Sequence, residues 1–260
     1  MSNKWLAPTG LRLERTAGHD AAARSIENAR RYHGRINCPH MTRDLFEMPF
    51  EAETTDLPEA TAGPGVVLLR GFASAQAEAL MACIDLITTD APLRHLLTPG
   101  GRRMSVAMSN CGSWGWTSGS HGYRYVPHDP LSGNRWPAMP AAWLELAAQA
   151  ATAAGYRGFV PDACLINEYL PGTKMSLHQD RDEQDFAQPI VSVSLGLPVT
   201  FLFGGPKRSD KPQRLRLEHG DVVVWGGPAR LAFHGVMPLA DGEHHLLGRR
   251  RVNLTFRRAN

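Results

Sequence analysis

His178-Gln179-Asp180 sets an imidazole and a carboxylate two residues apart. In an extended segment residues i and i+2 point the same way, so both groups can converge on one point. His234 follows 54 residues after Asp180, inside the strand-like stretch 231–236. His-x-Asp alone is unspecific, and a lone strand histidine is more often packed in a core than bound to a metal. Together the three offer two neutral imidazoles and one carboxylate. Such a set can hold one face of an octahedral iron and leave three positions for a co-substrate and oxygen. His219 competes as a ligand, but the glycine in Glu218-His219-Gly220-Asp221 suggests a turn between two strands and a structural role.

The stretch 251–257 gives the triad its context. Val252, Leu254 and Phe256 share one face, whereas Arg251, Asn253, Thr255 and Arg257 share the other. Two arginines facing the inside of a β-structure are strongly unfavourable without anionic partners, which a dicarboxylate could supply in bidentate fashion. Asn167 and Tyr169, two apart on the strand before His178, can add an amide and a phenol. A two-histidine, one-carboxylate iron beside a dicarboxylate cradle is the outline of a 2-oxoglutarate-dependent oxygenase.

The elements that must position these groups are short. The pattern predicts strands at 163–170, 190–195, 200–203, 214–218, 221–225, 231–236 and 251–256, separated by turn signals. It predicts a helix over 75–88 with Ser74 as N-cap and Leu80, Ile84 and Ile87 at helical spacing. A second, Ala-rich helix is opened by Pro140 and ended by Gly155. The expected fold is mainly β with flanking helices (α+β), a sandwich or jelly roll buttressed on one side. Residues 91–140 carry five arginines against one acid, Asp129, and five aromatics: Trp114, Trp116, Tyr123, Tyr125 and Trp136. Basic groups interleaved with aromatic planes suit a phosphate-and-stacking surface, although a loop-rich cover with packed aromatics has the same composition. Gly112, Gly115, Gly119 and Gly122 would let this cover close.

With 43% hydrophobic and 20% charged residues the chain can build a core. A net charge of +3 excludes a histone-like polycation but not a local nucleic-acid surface. The aliphatic run 66–69 is far short of the roughly 20 residues of a membrane span. No secretory h-region is evident. Cys38, Cys83, Cys111 and Cys164 form no CxxC pair, so reduced thiols in a cytoplasmic protein are expected. Residues 1–40 hold seven Lys/Arg and three Asp/Glu and read as a flexible arm.

From about residue 66 to 258 the chain resembles the bacterial AlkB proteins, the oxidative nucleic-acid demethylases. The resemblance is carried by Met104-Ser-Val-Ala-Met108, Asn110-Cys-Gly112, Gly115-Trp-Thr117, Trp136-Pro-Ala-Met-Pro140, Leu177-His-Gln-Asp180, Glu218-His-Gly-Asp-Val-Val-Val-Trp-Gly-Gly227 and Asn253-Leu-Thr-Phe-Arg257. It implies a double-stranded β-helix (jelly-roll) core over about 161–258 and an N-terminal nucleotide-recognition lid over about 91–140. Both belong to an oxygenase domain, 46–260, that follows a 1–45 extension. It further implies that His178, Asp180 and His234 hold Fe(II). Asn167, Tyr169, Arg251, Asn253 and Arg257 would bind 2-oxoglutarate, and which arginine meets which carboxylate stays open. Trp116, Tyr123, Met108, Lys174, Asp182 and Arg208 would bind substrate. Trp116 would stack on the base and Asp182 would accept from its exocyclic amine, although Glu183 and Asp185 beside it also suit a solvated acidic turn.

The implied reaction uses O2 and 2-oxoglutarate to hydroxylate the N-methyl group of 1-methyladenine or 3-methylcytosine, releasing formaldehyde, succinate and CO2. The implied enzyme is a monomer with no membrane association, and its partner is alkylated DNA, preferably single-stranded, with RNA as a further substrate. The competing readings are the same chemistry mainly on RNA or a small molecule, and a jelly roll that binds metal without turnover. The match of Met41-Thr-Arg-Asp-Leu-Phe46 to the start of bacterial AlkB chains marks Met41 as an expected beginning of the functional unit. The departures at Ser113–Trp114 and 118–121 leave strand preference open.

Overall fold

The structure, a computed structural model, describes residues 60, 61, 63–120 and 122–260. The arm, the 1–45 extension, the Met41 boundary and Cys38 lie outside the described residues.

Strands are numbered in chain order. The larger sheet has seven of them, in the order β1 (Ala60–Thr61), β2 (Val66–Leu69), β11 (Val222–Trp225), β8 (Ile190–Gly196), β13 (Arg251–Arg257), β6 (Ala163–Tyr169) and β3 (Ala107–Gly112). Every neighbouring pair is antiparallel. Four strands form the smaller sheet: β10 (Gln213–Leu217), β9 (Val199–Phe203), β12 (His234–Val236) and β7 (Met175–His178). A separate hairpin pairs β4 (Gly115–Gly119) with β5 (Gly122–Val126). Two antiparallel sheets with these crossovers are the expected jelly roll.

Alternation along the strands creates two apolar layers. Val252, Leu254 and Phe256 of β13, with Val191, Val193 and Leu195 of β8, face the helices. There they meet Leu80, Ile84 and Ile87 of α1 (Ala77–Asp90) and Trp143 and Leu146 of α2 (Ala141–Ala153). The opposite face packs against the smaller sheet, where Leu68, Ile190, Val223 and Trp225 join Val199, Phe201, Phe203 and Val236. Burial of each large side chain contributes roughly 1.5–3 kcal/mol, so both layers are needed to hold the sheets in register.

Gly155 ends α2 as expected: its φ is +88°, and the Tyr156 N–H donates to Ala151 O at 2.7 Å. Ser74 does not cap α1. It begins a short 3₁₀ turn, Ser74–Gln76, and its hydroxyl turns to the His219 carbonyl at 3.4 Å. The reason is a tether: the preceding Ala73 N–H donates to Gly220 O at 2.8 Å, which draws the helix entry onto the 218–221 turn. Among the described residues Cys111 and Cys164 are free buried thiols, as expected of reduced cysteines. Among the described residues no helix is long and apolar enough to cross a membrane.

Candidate active site

His178 ends β7 and His234 begins β12, and the two are Cα partners across the smaller sheet. Their rings lie 4.4 Å apart. The chain leaves the sheet after His178, and Asp180 turns between the two rings, 3.7 Å from His178 Nε2 and 3.7 Å from His234 Nε2. One ligand atom from each residue falls within 4.8 Å of the others. Each histidine donates its Nδ1–H to a backbone carbonyl, His178 to Ser176 O at 2.9 Å and His234 to Ala232 O at 3.0 Å. A carbonyl can only accept, so the proton is fixed on Nδ1 and the Nε2 lone pair is left for a metal. His219 lies apart from this cluster and instead accepts the Gly196 N–H at 3.0 Å on Nδ1.

Burial alone would raise the Asp180 pKa, but Arg257 and then the two imidazoles bring it well below the usual carboxylate range. Arg257 donates to Asp180 Oδ2 from Nη2 at 2.7 Å and from Nε at 3.1 Å. Its own charge is reinforced against burial by Asp180. Burial and the neighbouring His178 push His234 down to about 4, so it is neutral and ready to ligate near pH 7.

The inward face of β13 follows the predicted alternation, with Arg251, Asn253, Thr255 and Arg257 all buried. Opposite them β8 turns Ser192 and Ser194 inward, small residues that leave room for long side chains and supply hydroxyls. Arg251 Nε donates to Ser194 Oγ at 2.9 Å, and its guanidinium carbon stands 4.9 Å from the Tyr169 ring centre. Arg251 Nη1 and Asn167 Oδ1 have no hydrogen-bond partner among the described residues. A buried guanidinium and a buried amide with open valences are the feature an anionic, oxygen-rich co-substrate would complete. Tyr169 stays a neutral phenol, its pKa raised by burial against the pull of Arg251. Asn253 is committed differently. Both its amide hydrogens go to β8, to Ser192 Oγ and Val193 O at 2.8 Å each, and its oxygen accepts from Thr255.

The β4–β5 hairpin meets the loop after Asp180. Trp116 donates its indole N–H to Asp182 Oδ2 at 2.8 Å, and Tyr123 stacks on Trp116 with centroids 5.2 Å apart. Arg208 stands over Phe233, the residue before His234, at 5.3 Å. Lys174 is exposed at the start of β7, whereas Met108 is buried in the inner apolar layer and can offer substrate only a wall. The hairpin glycines divide by position. A Cβ on Gly115 would fall 2.3 Å from the Trp136 indole, and one on Gly112, at the end of β3, 2.5 Å from Asp162 O, so close packing rather than mobility requires both glycines. Gly119 and Gly122 at the tip have open space.

Three contributors were given no role from the sequence. Asn110 acts as a substitute strand edge: its amide accepts the Trp116 N–H at 2.9 Å and donates to the Trp116 carbonyl at 3.0 Å. Glu183 is buried beneath the hairpin, where it pairs with Arg230 at 3.0 Å and Arg257 at 3.3 Å, and Tyr125 donates to it. Arg230 also donates to the Asp180 carbonyl at 2.7 Å. The solvated-turn reading therefore fails for Glu183. Nothing in the sequence distinguished it from a solvated charge.

The chain matches the model of the 2OG-Fe(II) oxygenase superfamily over residues 65–257. It is 57% identical over 216 residues to the alpha-ketoglutarate-dependent dioxygenase AlkB of Escherichia coli, covering 83% of this chain and 97% of that protein. A stretch of 126 residues is 36% identical to the mouse nucleic acid dioxygenase ALKBH1, covering 47% of this chain and 32% of the relative. The solved structure of OsALKBH1 superposes with a TM-score of 0.68 at 29% identity, covering 77% of this chain and all of that one. The donor set and the open-valence Arg251–Asn167 pair fit the Fe(II) and 2-oxoglutarate of that superfamily. This chain is an Fe(II)- and 2-oxoglutarate-dependent dioxygenase using O2, and it belongs to the bacterial AlkB family.

Proposed function

We propose that this dioxygenase removes methyl groups from the ring nitrogens of 1-methyladenine and 3-methylcytosine in DNA, preferring single strands and also accepting RNA. The products are formaldehyde, succinate and CO2. The observation that carries the reading is the Trp116–Asp182 pair on the rim of the metal site, a flat aromatic surface joined to a carboxylate acceptor. An unstacked base needs both: a plane to recover lost stacking and an acceptor for its exocyclic amine.

In this reading residues 91–140 form the nucleotide-recognition lid of an oxygenase domain spanning 46–260, and the enzyme works as a cytoplasmic monomer. Trp116 covers one face of the base while Asp182 turns from the indole to the exocyclic amine. Tyr123, 43% exposed, lies outward of Trp116 and is placed to meet a phosphate. Lys174 and Arg208 add positive charge around the mouth, and Met108 backs the pocket. His178, Asp180 and His234 hold iron through two Nε2 atoms and a carboxylate. Arg251 binds a carboxylate of 2-oxoglutarate, with the Tyr169 phenol and Asn167 amide beside it and Asn253 fixing the strand that carries the arginine. Arg257 keeps Asp180 ionised and supplies the second positive charge on this wall. Iron with its co-substrate supplies the oxidising power, while the protein supplies placement and exclusion of water.

The test incubates the protein with Fe(II), 2-oxoglutarate and oligonucleotides carrying 1-methyladenine or 3-methylcytosine. Formaldehyde released in step with succinate is expected, faster from single-stranded DNA than from the duplex. Turnover confined to RNA or to free nucleosides would displace the DNA reading in favour of those substrates. Metal binding without any succinate would leave a non-enzymatic binding protein.

A further inference from the structure

Trp116 on β4 and Tyr125 on β5 are Cα partners, so their side chains project from one face of the hairpin. Each grips one of two consecutive acids beyond the metal-binding His-x-Asp. Trp116 holds Asp182, and the Tyr125 hydroxyl donates to Glu183 Oε1 at 2.7 Å. The two attachments differ in what lies behind them. Asp182 contacts no arginine among the described residues, so its carboxylate can change partner. Glu183 is 6% exposed and leads inward to Arg257 at 3.3 Å, which in turn clamps Asp180 Oδ2 at 2.7 Å. A continuous polar chain therefore runs from the hairpin, Tyr125–Glu183–Arg257–Asp180, to a metal ligand.

We propose that Tyr125 is a positioning residue for the iron site, holding the Asp180 carboxylate in its ligating orientation through Glu183 and Arg257 when the hairpin is docked. The proposal rests on the reading of His178, Asp180 and His234 as the metal centre. Arg257 is shared between two carboxylates, and the hydroxyl decides the division. With Tyr125 bound, one Glu183 oxygen is satisfied by the phenol and the other by Arg230, so Arg257 turns its short contact to Asp180. Without the hydroxyl, Glu183 Oε1 keeps only Arg257 at 3.3 Å, and a buried carboxylate oxygen short of donors draws the guanidinium toward itself. Asp180 then loses the partner that fixes its free oxygen. The Asp182 attachment can be given up to an incoming base, while the Glu183 attachment keeps the hairpin docked over the metal.

The experiment loads metal-free protein with Co(II), whose visible absorption reports ligand geometry without turnover. Tyr125→Phe removes one oxygen atom and preserves the ring. It is expected to shift the Co(II) bands and weaken Co(II) binding about 3- to 10-fold, less than the roughly 10- to 100-fold that follows loss of a group bonded directly to a ligand. Glu183→Gln, which keeps an acceptor for the phenol but gives up the charge that attracts Arg257, is expected to shift the bands less. Trp116→Phe cuts the neighbouring attachment and should leave the bands in place. Unchanged bands and affinity in Tyr125→Phe would overturn the proposal. So would an equal shift in Trp116→Phe, because the effect would then belong to docking in general. Wild-type Co(II) bands in His178→Ala would instead remove the metal-centre reading, and the proposal with it. Near-ultraviolet circular dichroism of each metal-free variant establishes that packing is intact before the bands are compared.

Discussion

Arg251 lies over the Tyr169 ring at 4.9 Å, a buried cation–ring pair with no carboxylate on the arginine among the described residues. Burial works against the charge, lowering the Arg251 pKa, and the open Nη1 marks where relief would come from. Arg251→Met is therefore expected to weaken 2-oxoglutarate binding by about 2–5 kcal/mol, roughly 30-fold or more. The ligand-free protein should melt no lower than wild type, since an uncompensated buried ion costs several kcal/mol. Calorimetric titration and thermal unfolding check both halves. Unchanged co-substrate affinity would remove Arg251 from the pocket.

Replacing His234 with Ala should abolish Fe(II) and Co(II) binding, whereas His219→Ala should retain it. The first removes a neutral imidazole whose tautomer is fixed toward the metal; the second removes only an acceptor for a backbone N–H. Metal titration by fluorescence quenching distinguishes them. Retained binding in His234→Ala would show that the triad is wrongly drawn.

The depressed His234 pKa has a stability consequence with a definite sign. The unfolded chain takes up a proton at this position near 6.5, whereas the metal-free fold resists it until about 4. Stability is thus fully present above pH 6.5 and declines as pH falls through this window, by about 2–4 kcal/mol in all. Urea denaturation of metal-free protein at pH 7.5, 6 and 5 should follow that slope. His234→Gln should flatten it.

Trp116→Ala is expected to weaken binding of a methylated oligonucleotide by about 1–3 kcal/mol, roughly 5- to 150-fold, with 2-oxoglutarate binding unchanged. Trp116→Phe keeps a stacking plane but frees Asp182 from the indole, so its oligonucleotide affinity should stay near wild type. Succinate formed without formaldehyde should rise in the alanine variant. Anisotropy and product analysis test this, and equal losses in both variants would assign the effect to the indole N–H instead of the ring.

Asn110→Ala takes away both side-chain hydrogen bonds that fix the Trp116 backbone. Each contributes about 0.5–1.5 kcal/mol, so oligonucleotide affinity should fall several-fold, with metal and co-substrate binding spared. An unaltered oligonucleotide affinity would show that β5 alone orients the tryptophan.

The residues that do chemistry by type were legible in the chain. His-x-Asp, the distant histidine and the two arginines on one face of 251–257 needed only alternation to be grouped. Most of the second-half strands were legible because they are short and bounded by turns, but β7, which carries His178, was not among those expected, and of 231–236 only His234–Val236 forms a strand. Nor was the hairpin legible. Its glycine-bracketed strands pair only with one another, and what β4 buries, Gly115 and Thr117, shows no apolar alternation. Glu183 and Arg230 were hidden for another reason. A charge looks alike in sequence whether it is solvated or buried, and only the fold shows that these two neutralise one another inside.

Strand β13 bears on helices with one face and on the proposed co-substrate pocket with the other. This makes the molecule unequal in its tolerance of length change. A residue gained at the exposed pair Arg157–Gly158, between α2 and β6, lengthens a surface loop at little cost. A residue gained or lost within 251–257 exchanges the two faces beyond that point, sending arginines toward the helical layer and valine, leucine and phenylalanine into the pocket. Drift in chain length among descendants of this sequence should therefore collect in the turns and spare this strand, where one codon would undo packing and chemistry together.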